Sequence, residues 1–303
     1  MSDVQIILHI LSSHQPLLIV LVGIIGLVMG SFINVVAHRT PLIMMHEWRQ
    51  EVFNFIKHDD SIDADVKARL DSHHALDPIS LSTPASHCPS CHARIRWWQN
   101  IPLLSYLLIK GRCTHCHGKI SPMYPATEAT TALLSMLIAH HFGASIQMLL
   151  ALILVWYLLA LSCIDWRTRL LPDRLLVPLG IIGLLANTAS LFTTPLLSIW
   201  GLSVGFVAFW FINVLCKWLI RQDGLGLGDA KLLGVLGAWL GVSALPIIIL
   251  VASLLGVVVG VIGKASGRSD DKTLAFGPYL VMGGVVALLF GERLWAWYLA
   301  GFY

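Results

Sequence analysis

IQMLLALILVWYLLALSCID, residues 146–165, is the stretch on which the fold turns. From Ile146 to Ile164 it contains no charged side chain, and at about 1.5 Å per helical residue it is long enough to cross a hydrocarbon core of about 30 Å. It then stops on a carboxylate, Asp165, and runs into Trp-Arg-Thr-Arg. An apolar span that ends on an acid and a pair of arginines describes a membrane helix meeting a water-facing, cation-rich surface.

Working outward, seven more apolar segments flank this one, at about 17–37, 126–142, 174–192, 196–219, 230–241, 244–262 and 275–291. The 230–241 segment is too short to span alone unless it continues a broken or tilted helix. The last segment extends toward Trp295 and Trp297, which suit an interfacial aromatic belt. Composition agrees: 56% of the 303 residues are hydrophobic and 12% charged, with a mean hydropathy of +0.76. Soluble domains are roughly 45–50% apolar and about 25% charged. The expected class is an all-α polytopic membrane protein with about eight transmembrane helices, since only helices or closed barrels satisfy backbone polar groups in lipid.

No Lys or Arg precedes the first apolar run; the first basic residue is Arg39. That order predicts a retained span with its N-terminus outside, not a cleaved secretory signal. Four cytoplasmic loops follow, at 38–125, 165–173, 220–229 and 263–274. Every Lys and Arg except Arg293 then lies on or beside the cytoplasmic side, as the positive-inside rule requires. The net charge of +3 is too small to make nucleic acid the main partner. The chain divides on this reading into a first transmembrane helix (1–37), a cytoplasmic loop domain (38–125) and a seven-helix membrane catalytic domain (126–303).

Within the loop domain, HEWRQEVFNFIKHDDSIDADVKARL sets Trp48, Val52, Phe55 and Ile56 at helical spacing. This predicts an amphipathic helix, lying on the membrane or against the second portion of the loop, or an ordinary surface helix. Next come HCPSCH (87–92) and RCTHCH (112–117). Cys88 and Cys91 form one C-x-x-C, Cys113 and Cys116 a second, with 21 residues between the pairs. Two knuckles at this spacing fit a four-thiolate zinc ribbon. Two disulfides or a redox dithiol are the alternatives, and a reducing cytosol disfavours the first. A closed four-sulfur site keeps no open position, so the expected role is structural. His87, His92, His115 and His117 are spare nitrogens near the same site, and Cys163 and Cys216 read as packed small hydrophobes.

Ionisable groups at membrane helices are costly and are functional candidates by default. Asp165 closes one span. Asp229 follows the glycines of GLGLGDAKLL (224–233) and opens another apolar run. The topology sets both on the cytoplasmic side. Two neighbouring carboxylates in a low dielectric share a proton and titrate as a unit, the arrangement with which an aspartic protease activates water. Gly226 and Gly228 would let an extended peptide approach the backbone. Taken singly, Asp229 is equally an N-cap for a helix from Ala230, and Asp165 a partner for Arg167 or Arg169. A phosphate loop is the weaker reading, for G-L-G-L-G-D lacks the G-x-G-x-x-G spacing. Asp173, after Pro172, reads mainly as a helix start. Asp223, Asp270 and Asp271 complete the acids near this face.

Several of these stretches resemble one family. GSFINVVAHRTP (30–41), the paired C-x-x-C, WWQNIPLLSYL (97–107), KGRC (110–113), ISPMYPATE (120–128), IDWRTRLLPD (164–173), GLGLGDAKLLGVLGAWLG (224–241) and FGPYL (276–280) together resemble the type IV prepilin leader peptidase and N-methyltransferase family. The resemblance implies a membrane aspartic peptidase of the G-x-G-D type with Asp165 and Asp229 as catalytic pair. Its substrates would be type IV prepilins and type II secretion pseudopilins, cut on the cytoplasmic side after the leader's glycine and usually before phenylalanine. The new N-terminus would then be methylated with S-adenosylmethionine. The implied location is the bacterial inner membrane, with the N-terminus periplasmic; self-association is compatible with such a chain. Gly111 and Arg112 align with a Gly-Lys pair implicated in methylation, with Arg here in place of Lys, and Asn100, Tyr124 and Glu128 are further candidates. The WRTR loop is more basic than the resemblance leads one to expect. Three rivals stand beside this reading: a peptidase without methyl transfer, a transporter whose broken helix at 224–241 binds an ion, and a membrane-anchored zinc-ribbon interaction protein.

Overall fold

A computed structural model of the chain describes residues 14–58, 79–220, 226–266 and 275–301. Its helices, in chain order, are α1 (Gln15–His58), α2 (Leu104–Leu108), α3 (Met123–Phe142), α4 (Ile146–Thr168), α5 (Asp173–Thr188), α6 (Pro195–Ile220), α7 (Leu227–Leu240), α8 (Leu245–Ala265) and α9 (Gly277–Ala300). Among the described residues there is no strand, only two isolated bridges in the cysteine segment. Five helical stretches there are long and apolar enough to cross a membrane: Gln15–His58, Ile146–Thr168, Pro195–Leu219, Val242–Ala265 and Gly277–Ala300. The protein is thus an all-helical, multi-pass membrane protein. It has two compact units, Met1–Gly26 with Thr130–Tyr303, and Leu27–Ala129.

α1 has 44 residues, about 66 Å of helix against a core of about 30 Å, so a large part of it lies beyond any span. The amphipathic stretch expected as a separate helix is instead the continuation of α1 as far as His58. Pro41 sits inside it without ending it. Trp48, Val52 and Phe55 are exposed; the remainder of that stretch, from Asp59, lies outside the described residues.

In the larger unit, α4 starts where the Ser145 hydroxyl accepts the Met148 N–H at 3.1 Å, an N-cap. Its long apolar run has no glycine or proline to break it, and one side is buried from Met148 to Asp165. It stops at Arg169, which takes a left-handed φ of 55° and returns its N–H to the Asp165 carbonyl. The segment that looked too short to span is α7. It has 14 residues, and Ala230 and Leu232 through Trp239 are all buried. A short helix is tolerated at membrane depth when protein surrounds it.

α6 and α7 run antiparallel in close contact. A Cβ on Gly201 would strike the Gly237 carbonyl, and one on Gly205 would lie 2.8 Å from the Leu233 carbonyl oxygen. Small residues let membrane helices approach this closely, and packing rather than the hydrophobic effect holds them there. The far end of α7 is pinned by Asn187 of α5. Its Nδ2 donates to the carbonyls of Ala238 and Trp239, each at 2.9 Å, and its Oδ1 accepts from Phe192 and Thr193 N–H, each at 3.1 Å. The Trp239 indole donates to the Leu179 carbonyl at 2.8 Å. These bonds fix how deep α7 sits, and so where its first turn comes to rest.

Candidate active site

Asp229 stands in the first turn of α7. The helix begins at Leu227, so Asp229 is the third helical residue and Gly226 is the N-cap. The capping expectation is corrected accordingly: the carboxylate reaches back, and its Oδ2 accepts the Gly226 N–H at 3.2 Å. Asp165 lies near the end of α4 and is equally buried. The helix ends that carry them meet where Leu171, just beyond α4, packs on Gly228, next to Asp229. Of the two arginines expected beside Asp165, Arg169 donates its backbone N–H to the Asp165 carbonyl at 2.8 Å.

Asp165 has a second backbone partner that spacing did not reveal. The N–H of Gly277, first residue of α9, donates to Asp165 Oδ2 at 3.1 Å across 112 residues of sequence. A Cβ at position 277 would lie 2.6 Å from that oxygen. Each acid therefore sits at the start of a helix, Asp229 at its own and Asp165 at that of α9, where free N–H groups and the helix dipole favour an anion. The only sequence signal for this was the glycine inside FGPYL.

The glycines before Asp229 differ. A side chain at 226 would find the Asp229 Oδ2 at 3.2 Å and otherwise little, and Gly226 is exposed. The space a side chain at 228 would need is taken by Leu171, whose Cβ is 3.0 Å away. Gly224, Asp223, Asp270 and Asp271 lie outside the described residues. Asp173 opens α5 as expected and also holds Lys231 of α7, whose Nζ donates to its two carboxylate oxygens at 2.7 and 2.8 Å.

In the unit Leu27–Ala129 the four cysteines meet. One sulfur from each of Cys88, Cys91, Cys113 and Cys116 lies within 4.8 Å of all the others, and all four are free thiols. Cys88 to Cys116 is 3.8 Å and Cys91 to Cys113 is 3.9 Å. A tetrahedron of sulfurs about 2.3 Å from a central zinc has edges of about 3.8 Å, so the cluster can hold zinc. The knuckles are near copies. In each the N–H of the residue after the second cysteine returns to the carbonyl of the first, His92 to Cys88 at 2.9 Å and His117 to Cys113 at 3.0 Å. Both histidines take left-handed φ angles, 57° and 56°; they are turn residues, and the His92 ring stacks on His87.

Backbone N–H groups of Cys91 and Ser90 pull the Cys88 thiol down to about 6. A backbone N–H near Ala93 pulls Cys91 the same way, but desolvation and the sulfurs of Cys116, Cys88 and Cys113 outweigh it and push Cys91 up to about 11. Four sulfurs at these distances cannot all carry charge unaided, and a dication removes that conflict.

Gly111, at the base of the second knuckle, has a φ of +64°, and a Cβ there would come within 2.8 Å of the Tyr106 hydroxyl. Arg112 bridges Lys119 through its backbone and leaves its side chain exposed. Glu128 is buried; its Oε2 accepts the Leu103 N–H at 2.8 Å. The Asn34 amide of α1 donates to the Tyr124 carbonyl at 3.1 Å. Asn100 is exposed.

Long apolar helices, an acid pair buried where one helix ends and another begins, and a four-thiol knuckle together define a polytopic membrane protein with an acid site at helix termini. The chain belongs to the type IV leader peptidase family. Residues 152–261 match that family, and residues 24–142 match the bacterial Peptidase A24 N-terminal domain. A protein of Stutzerimonas stutzeri named "Prepilin leader peptidase/N-methyltransferase" is 41% identical over 289 residues, 95% of this chain and 96% of that one. Proteins of the same name from Pseudomonas aeruginosa and Legionella pneumophila are 40% identical, over 98% of this chain and 99% of theirs, and 36% identical, over 92% and 93%. No solved structure matches the chain.

Proposed function

We propose that this chain is a bifunctional enzyme. It removes the leader of type IV prepilins or type II secretion pseudopilins by cutting after glycine, then methylates the new N-terminus. The observation that carries the peptidase reading is that two buried carboxylates, Asp165 and Asp229, 64 residues apart in sequence, stand at helix ends that touch through Leu171 and Gly228. Two acids in one apolar site divide the work of hydrolysis: one takes a proton from water while the other, protonated, donates to the scissile carbonyl. Gly226 leaves room beside Asp229 for an extended substrate backbone. Each acid accepts a helix-terminal N–H that favours its ionised form, so either can serve as the base while its neighbour holds the shared proton.

The remaining assignments rest on this one. The site lies on the cytoplasmic side of the bacterial inner membrane, with the N-terminus periplasmic. One zinc ion is held by Cys88, Cys91, Cys113 and Cys116 and has a structural role, since four thiolates leave no position open for chemistry. S-adenosylmethionine supplies the methyl group for the product amine. Arg112 has an exposed guanidinium suited to a donor carboxylate, with Gly111 shaping the turn beside it; this pair is the proposed cofactor contact.

One assay separates the parts. Purified enzyme is incubated with a prepilin and S-adenosylmethionine carrying a labelled methyl group, and the products are mapped by mass spectrometry. The expected result is a single cut after glycine with label on the new N-terminus. Cut product without label removes the methyltransferase half. Cleavage that persists in Asp165→Asn or Asp229→Asn removes the dyad. Arg112→Ala should lower labelling and leave cleavage in place.

A further inference from the structure

The Asp165 and Asp229 carboxylates lie on separate elements, and neither accepts its backbone hydrogen bond from the other's helix. Their spacing depends on the depth of α7 and on what joins the end of α4 to its start. Two contacts stand at that junction. Leu171, in the turn after α4, fills the space left by Gly228, and Lys231 grips both oxygens of Asp173 at 2.7 and 2.8 Å. Asp173 follows Asp165 by one tight turn, and Lys231 follows Asp229 by two residues.

We propose that the Asp173–Lys231 ion pair, with Leu171 seated on Gly228, is a strap that fixes the separation of the two carboxylates; this rests on the dyad reading above. Lys231 and Asp173 are positioning residues, not catalytic ones. Lys231 is two residues, or about 200° of helix, beyond Asp229, and its ammonium is bound to Asp173 on the outside of the site. Residues that close the gap between two elements near both acids hold geometry even when they add little stability. The pair is partly exposed, 34% for Lys231 and 58% for Asp173, and exposed pairs contribute little to folding. The chemistry is less forgiving, since a displacement of about 1 Å at reacting groups costs up to about a hundredfold in rate. The strap thus predicts a loss of rate without a loss of fold.

The test uses the full-length enzyme in lipid nanodiscs and a prepilin substrate, with Lys231→Met, Asp173→Asn, and the exchanged pair Asp173→Lys with Lys231→Asp. Each single variant should lower kcat about tenfold, keep KM within about twofold and leave Tm unchanged. The exchanged pair should recover most of kcat. Added salt, which screens exposed charges, should lower the wild-type kcat toward that of Lys231→Met and leave the variant unmoved. Single variants with wild-type kcat, in preparations where Asp229→Asn is dead, overturn the strap and leave the dyad standing. Single variants whose loss the exchanged pair does not recover, at unchanged Tm, overturn it too. If Asp229→Asn itself remains active, the dyad falls and the strap with it.

Discussion

The cysteine cluster and the acid pair are both small constellations, but they are assembled by opposite means. Each cysteine knuckle delivers two sulfurs from a single tight turn, and the whole cluster lies within residues 88–116. Its geometry needs only two short hairpins and their backbone bonds. The acid pair draws on three helices. Asp165 comes from the end of α4, Asp229 from the start of α7, and the N–H that steadies Asp165 from α9. The depth of α7 depends in turn on the glycine contacts with α6 and on Asn187 at its far end. A locally built cluster tolerates changes elsewhere; one built by helix crossings inherits every error in packing. The two should therefore respond in opposite ways to mutation.

The largest effect tests whether the two constellations are separate. Asp165→Asn and Asp229→Asn should each reduce cleavage at least a thousandfold, because an amide can neither take the proton of water nor share one with its neighbour. Zinc content, measured by elemental analysis of the purified variants, should stay at one ion per chain. If the aspartate variants also lost zinc, the units would not be independent. Next is Gly277→Ala. The added methyl would lie 2.6 Å from the Asp165 oxygen, so either α9 or the carboxylate must shift. Cleavage should fall about a hundredfold, again with zinc and the fold retained. Wild-type cleavage would show that α9 gives way freely and that Asp165 does not depend on it.

What could be read from the sequence follows the same divide. The cysteines were legible because their spacing is the geometry. The aspartates stand out in the sequence because each ends or begins an apolar run, and the positions of Lys and Arg predict that both ends lie on one side. Gly277 was not: its partner is 112 residues away, and only the crossing of α4 and α9 brings them together. Lys231 was hidden for the same reason, since its mate Asp173 is 58 residues away and each alone looks like an ordinary surface charge. α7 was legible as too short to span alone, and it has 14 residues; what periodicity could not show is that protein surrounds it, since a buried helix and a lipid-facing one are both apolar all round. The stretch from Trp48 to Ile56 has a true helical period. Period alone does not tell a new helix from the continuation of an old one, and here α1 continues.

On the cysteine side, Cys88→Ser should weaken zinc binding sharply, since the three remaining thiolates leave one corner of the tetrahedron to water or a nearby imidazole. The effect on cleavage should be modest, about tenfold or less, as the cluster is assembled within residues 88–116 and the aspartates belong to other helices. A complete loss of cleavage in a variant that still inserts and folds would mean the cysteine unit takes part in peptide hydrolysis.

The smallest effect expected is the most discriminating. Gly226 and Gly277 each place a backbone N–H on a carboxylate, yet their surroundings differ. Gly277 is closed against Asp165. Gly226 has a φ of −66°, open to any residue, and a side chain there would meet the Asp229 Oδ2 at 3.2 Å, a contact that a shift of a few tenths of an ångström relieves. Gly226→Ala should therefore leave the acid pair in place, and its N–H still reaches Asp229. If Gly226 provides clearance for the substrate backbone, the methyl will obstruct binding before it disturbs chemistry: KM should rise several-fold with kcat within about twofold. If kcat falls instead and KM holds, the glycine serves the carboxylate, as Gly277 does, and the substrate must approach from another side of Asp229.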